Sequence, residues 1–239
     1  MCSSDLLLLV GCVAAPGPRR MVELARMPAK EANQGVAVDA DHYFAITDAA
    51  IGKYRKADGV QVGRWAAPAG SGLRHLNAGV VVGGRLYCAH SNFPLKPDES
   101  SVEVFDVATL TPIDRHVFVD PPGSLTWVVP YEGGWLACFA HYAATSQVAR
   151  SRLVAYDQAW VARRTWSFAP EVLAKFGRMS CSGGGVDPAG VVGVTGHDAK
   201  ELYILELPPA GGVARLAERE LDRAAVEQHR VLEFGVHDV

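Results

Sequence analysis

Three histidines close apolar runs at matching places in this chain: Ala89-His90-Ser91, Ala140-His141-Tyr142 and Gly196-His197-Asp198. Imidazole takes or gives a proton near neutral pH, and a phenol can act as acid or base where its pKa is lowered. A second set surrounds one of them. The segment from His75 to Asn92 holds His75, Asn77, His90 and Asn92, broken at its centre by Gly83-Gly84. Two glycines supply the positive φ of a two-residue hairpin turn. With that turn, Val82 faces Arg85, Asn77 faces His90 and His75 faces Asn92. Side chains alternate along a strand, so all four are expected on one face. Such a cluster suits proton abstraction next to a carboxylate followed by elimination. It equally suits a hydrogen-bonded plug, since buried polar groups must find partners.

The equivalent residues elsewhere widen the cluster. Gln34 and Thr47 take the Asn77 and His90 positions in the first unit, and Asp198 follows His197 in the last. In the third unit the turn at Gly133-Gly134 points Tyr142, rather than His141, to the face that Asn92 occupies; both are carried as candidates. The expected catalytic set is therefore His75, His90, Tyr142, His141 and His197, with Asn77, Asn92, Gln34 and Asp198 binding substrate. Metal binding by His75, His90 and His197 lacks a supporting set of carboxylates, so no metal site and no cofactor is assigned. There is no serine nucleophile elbow, phosphate loop or dinucleotide fingerprint. His42, His116, His229 and His237 fall outside the cluster and are read as solvated.

The elements that must position these residues repeat. Tyr54, Phe105, Tyr156 and Ile204 each centre an apolar run, and they are separated by 51, 51 and 48 residues. That period belongs to propeller blades. Each anchor strand is preceded by a hairpin and followed by one more strand. The reading gives four blades of four antiparallel strands at about 34–66, 75–119, 124–168 and 181–219. The predicted fold class is an all-β propeller, with four blades visible of an expected six or seven. One short helix is predicted, from Pro170 to Phe176. Residues 21–27 resemble an outermost strand with no blade before it, and residues 223–239 form an atypical tail, so the chain reads as a fragment. In a propeller the loops joining strand two to three, and strand four to the next blade, share one mouth. The clustered polar residues lie there.

Bulk properties agree. Of 239 residues, 49% are apolar and 21% charged, and 24 Gly and 14 Pro mark frequent turns. The net charge of −3 leaves no basic footprint for nucleic acid. Cys2, Cys12, Cys88, Cys138 and Cys181 match no zinc spacing, and the last three sit in strand-like runs as expected buried thiols. Leu6 to Val10 form a short apolar region, and Leu9-Val10-Gly11-Cys12 fits a bacterial lipoprotein box with Cys12 as the lipidated residue. Residues 1–12 are thus an expected export signal, although Met1 to Asp5 lack its basic start. An extracytoplasmic location follows, with membrane contact through a lipid anchor only.

The run from His75 to Pro94, with Thr195-Gly-His-Asp198, resembles a family of exported bacterial and fungal propeller proteins often labelled cycloisomerase-like. It is also distantly similar to propeller polysaccharide lyases that cleave uronic-acid glycans. That resemblance implies β-elimination, with His75 and His90 matching a histidine pair and Tyr142 as acid or base. No residue matches the arginine that neutralises the uronate; Arg74, Arg150, Arg152 and Arg178 lie nearby. Three functions are weighed: a uronate-type lyase acting on a glycan or small molecule, a non-catalytic propeller binding a glycan or protein, and a calcium-dependent lactonase-like propeller. The last needs several oxygens converging on the channel, of which Asn77 and Asp198 are present.

Overall fold

β-branched and aromatic runs punctuated by Gly, Pro and Asp turns leave few alternatives to short strands. The computed structural model describes residues 26–142, 148–198 and 201–221. It holds sixteen strands and one short α-helix. The first sheet contains β1 (Gly35–Val38), β2 (His42–Thr47), β3 (Ala50–Arg55) and β4 (Gln61–Ala66). The second contains β5 (Leu76–Val82), β6 (Arg85–Ser91), β7 (Ser100–Asp106) and β8 (Pro112–Val117). The third unit is β9 (Ser124–Tyr131), β10 (Gly134–Ala140), β11 (Arg152–Tyr156) and β12 (Ala162–Phe168). The fourth is β13 (Cys181–Val186), β14 (Val192–Gly196), β15 (Glu201–Glu206) and β16 (Gly212–Leu221).

Within each unit consecutive strands pair antiparallel in chain order, which is the meander of a propeller blade. The third and fourth units are joined into one eight-stranded sheet. Trp166 to Phe168 of β12 run parallel to Gly212 to Ala214 of β16. The architecture is all-β and propeller-like. Tyr54, Phe105, Tyr156 and Ile204, the repeating anchors, lie on the third strand of their units.

Apolar side chains from facing sheets interdigitate between units. Phe44, Ile46 and Ile51 of the first meet Leu76, Leu86 and Phe105 of the second. Val102 and Phe118 meet Leu125, Val128 and Phe139 between the second and third. Trp127, Cys138 and Trp166 meet Cys181, Val194 and Tyr203 between the third and fourth. Fully burying one such side chain stabilises the fold by roughly 1.5–3 kcal/mol. α1 (Pro170–Phe176) starts on a proline, ends at Gly177 and buries Val172 and Phe176 in the last of these cores. Among the described residues, no helix is long and apolar enough to cross a membrane.

Two expectations need correction. Arg26 and Met27 lie in no strand; the segment after them carries Glu31, whose carboxylate accepts from Tyr54 Oη at 2.5 Å and pairs with Arg64 Nε at 3.0 Å. The rest of the expected outermost strand, the Cys12 lipid site, residues 1–12, and the tail from 223 with His229 and His237 fall outside the described residues.

The second correction concerns register. The Gly83-Gly84 turn does pair Val82 with Arg85 and Gly79 with Cys88, but His90 then pairs with Leu76, not Asn77. Two residues of β5, Asn77 and Ala78, stand opposite the single Ala89. This is a β-bulge, which bends the strand and re-aims its side chains. The third hairpin turns at Glu132-Gly133, one residue earlier than expected, and bulges between Cys138 and Phe139, with Thr126 the extra residue of β9. The fourth bulges at Ser182.

Candidate functional site

Antiparallel meanders place the turn after β2, the loops after β6, β10 and β14, and the segments leading into β5, β9 and β13 at one end. There the polar side chains separate into a connected row and several side branches.

The row begins in the first unit. Asp48, in the turn after β2, accepts from Gln34 Nε2 at 2.9 Å and from His75 Nδ1 at 2.7 Å, both on Oδ1. The Asp48 backbone carbonyl also accepts from Leu76 N, which fixes the start of β5 beside the turn. A carboxylate on Nδ1 sets the tautomer of the imidazole and leaves Nε2 as the lone-pair nitrogen. The His75 ring lies 5.5 Å from Phe93, and Phe93 lies 4.6 Å from Tyr142, centroid to centroid. Gln34, Asp48, His75, Phe93 and Tyr142 thus run across three units. Burial pushes the Tyr142 phenol well above its usual range, with the Cys138 and Cys181 thiols and Asp98 adding to the effect. Tyr142 is therefore a neutral phenol that holds its proton, rather than one of lowered pKa.

His90 lies below this row and faces elsewhere. It is only 3% exposed. Nδ1 donates to Ser101 Oγ at 2.9 Å, Ser101 donates to Glu103 at 2.6 Å, and Glu103 pairs with Arg115 at 2.8 Å. Nε2 accepts from the backbone N–H of Arg74 at 3.4 Å. Burial pushes its pKa down to about 4, helped by the charges on Arg115, His75 and Arg74. Glu103, 4.0 Å away, does not reverse this, because Arg115 already holds that carboxylate. Both nitrogens of His90 are engaged and the ring is neutral.

The two asparagines are also spoken for. Asn77 donates to the Leu125 carbonyl at 2.9 Å, tying the bulge of β5 to β9. Asn92 donates to Pro97 O and accepts from Glu99 N, both at 2.9 Å, and so closes the loop that carries Phe93. The expected single face of His75, Asn77, His90 and Asn92 is not formed, because the bulge rotates Asn77 and His75 relative to His90. His141 contacts the Pro122 carbonyl through Nε2; its backbone N–H donates to Ser151 Oγ at 2.8 Å, and its backbone carbonyl accepts from that hydroxyl at 3.4 Å. Burial lowers its pKa, opposed by the Pro122 contact. His197 pairs with Asp198 at 2.6 Å, both more than half exposed.

Two members of the row were not among the expected site residues. Phe93 lies next to Asn92 in the quoted run, and its aromatic type was the available signal. Asp48 had a stronger one: it occupies in the first unit the position of Tyr142 in the third and Asp198 in the fourth. Among the described residues, no three His, Cys, Asp or Glu side chains are grouped to hold a metal ion.

No family model matches the chain, and no curated protein matches it. Among solved structures it is similar to a protein of unknown function from Bacteroides caccae, at 12% identity and a TM-score of 0.49, over 78% of this chain and 59% of that one. It is similar to hydrazine synthase of Kuenenia stuttgartiensis at 13% identity and 0.48, over 72% and 51%. It is also similar to streptogramin B lyase at 7% identity and 0.48, over 82% and 56%. The chain therefore spans between 51% and 59% of the length of these structures.

Proposed function

We propose that this chain is an exported carbohydrate-active propeller that binds a uronate-containing glycan at the mouth and cleaves it by β-elimination. The Asp48–His75–Phe93–Tyr142 row carries the reading. His75 Nε2 is the base that removes the proton next to the uronate carboxyl, and Asp48 stabilises the imidazolium that results. The carbon–oxygen bond at the adjacent position breaks, a carbon–carbon double bond forms, and Tyr142 protonates the departing oxygen. Phe93 between them offers an apolar ring face against which a sugar can lie. His90 takes no proton in this scheme and instead supports the start of β5 through Arg74. The resemblance of the His75 to Pro94 run to cycloisomerase-like and lyase propellers favours the same chemistry, and the Leu6 to Cys12 segment favours export.

The test is incubation with uronic-acid glycans, following the ultraviolet absorbance of the unsaturated product, with and without calcium. Product is expected without added calcium. His75→Ala should abolish it, and Asp48→Asn should lower kcat by about 100-fold or more, the usual span of acid–base catalysis. Saturable binding with no product from any glycan would leave a binding module. Activity that needs calcium and releases no unsaturated product would leave the lactonase reading.

A further inference from the structure

Beneath Tyr142 the third and fourth units meet through sulfur. Cys138 of β10 and Cys181 of β13 are both fully buried free thiols in one core. Three features bring them together. Trp127 of β9 is the register partner of Cys138, so their side chains share a face. Its indole Nε1–H donates to Cys181 Sγ at 3.4 Å across the gap between units. The run Gly183-Gly184-Gly185 lets β13 lie close: a Cβ at Gly184 would stand 2.4 Å from Trp127 Cε2. Cys181 thus contacts the indole whose strand partner is Cys138, and both thiols act on the Tyr142 phenol.

We propose that Cys138 and Cys181 are a redox site, a dithiol that closes to a disulfide linking the third and fourth units directly under the mouth. The oxidant is a small-molecule disulfide of the glutathione class. Each thiol gives up its proton, the pair gives up two electrons, a sulfur–sulfur bond forms, and the reagent is reduced to two thiols. Both sulfurs are sealed in the core, and burial with the neighbouring thiol raises the Cys138 pKa further. Thiolate is the attacking species, so exchange in the native fold is slow. Closure therefore takes place while the chain folds, and the core then protects the bond.

The experiment is refolding of the full chain in a glutathione redox buffer, alkylation of the remaining thiols, and non-reducing peptide mapping. The expected result is one linked pair of peptides, containing Cys138 and Cys181, lighter by about 2 Da than the two thiols, with Cys88 alkylated. A Cys181→Ala variant refolded in the same way should trap glutathione on Cys138. Alkylation of both Cys138 and Cys181 after oxidative refolding would overturn the proposal. So would pairing of either one with Cys2, Cys12 or Cys88. The native protein held in the same buffer should retain both thiols for far longer than the refolding chain; equal rates would overturn closure during folding.

Discussion

Mild acid should weaken this fold through His90, and the size of the effect follows from its surroundings. The folded pKa is about 4, below the 6.5 of an unperturbed imidazole. Between those values the unfolded chain binds a proton that the folded chain does not. Stability from this group is therefore fully present above about pH 6.5 and is lost as pH falls towards about 4. At about pH 5 the loss is about 2 kcal/mol, and across the whole window about 3 kcal/mol. His116 and His141 are also lowered by burial and add to the same limb. The carboxylates held below their usual values, Glu31 and Asp39 among them, lose stability only below an unfolded value of 4.5 or less. Urea unfolding at about pH 7 and about pH 5 thus reads mainly histidines. In His90→Gln the difference between the two pH values should shrink by about 2 kcal/mol relative to the parent chain, whatever the substitution costs at neutral pH. An unchanged difference would refute a neutral, buried His90. A larger parent stability at about pH 5 would reverse the sign and show that Glu103, not Arg115, governs the ring.

Two further outcomes test the scaffold. Gly184→Ala places a methyl 2.4 Å from the Trp127 ring; it should cost about 1–3 kcal/mol in denaturant unfolding and shift indole fluorescence to the red, whereas unchanged stability would mean that β13 is not pressed against Trp127. Asn92→Ala removes the bonds to Pro97 O and Glu99 N; it should cost about 1–3 kcal/mol and expose residues 93–98 to limited proteolysis, and an equally resistant loop would show that Asn92 does not close it.

Most strands are legible because period-two burial, turn residues and a repeat near fifty residues agree. β9 and α1 fall where the pattern puts them, and Gly83-Gly84 fixes the register of its hairpin as far as Cys88. The candidate site was less legible. His75 and Tyr142 were expected there and lie in the row. His90 was expected beside them but is buried within the second unit, with Nδ1 on Ser101 and Nε2 on the Arg74 N–H. Counting alternation from a turn works only while the ladder is regular, and a bulge of one residue flips every side chain beyond it. Nothing in Leu76-Asn77-Ala78-Gly79 announces the bulge except the glycine, whose Cβ would meet Ile46 Cδ1 at 2.9 Å. The turn at Glu132-Gly133 misleads for another reason: Glu132 adopts a φ of 47°, where glycine or asparagine is the usual occupant.

Apart from the shifts between third and fourth strands, the bulges lie in one kind of place. The inner hairpins of the second, third and fourth units each carry one, always on the inner strand and always near the mouth: at Asn77-Ala78, Thr126 and Ser182. The first hairpin has none, and pairs evenly from Gly35–Ile46 to Val38–Tyr43. The difference matters for the row. In the first unit a regular ladder delivers Gln34 and the turn residue Asp48 side by side, so one carboxylate can hold both Gln34 and His75. In the next two units the inner strands bend, and their freed polar groups are used internally: Asn77 bonds to Leu125 O, and Thr126 to Cys138 O at 3.4 Å. The bend lets Phe93 and Tyr142 lean towards His75 rather than stand apart on separate sheets. A propeller repeats its backbone, so four units offer four equivalent positions after the second strand: Asp48, Ser91, Tyr142 and Asp198. Only two of them enter the row. One regular inner hairpin and two bulged ones break the symmetry, and a mouth built from like parts then presents an imidazole and a phenol on either side of a single aromatic ring.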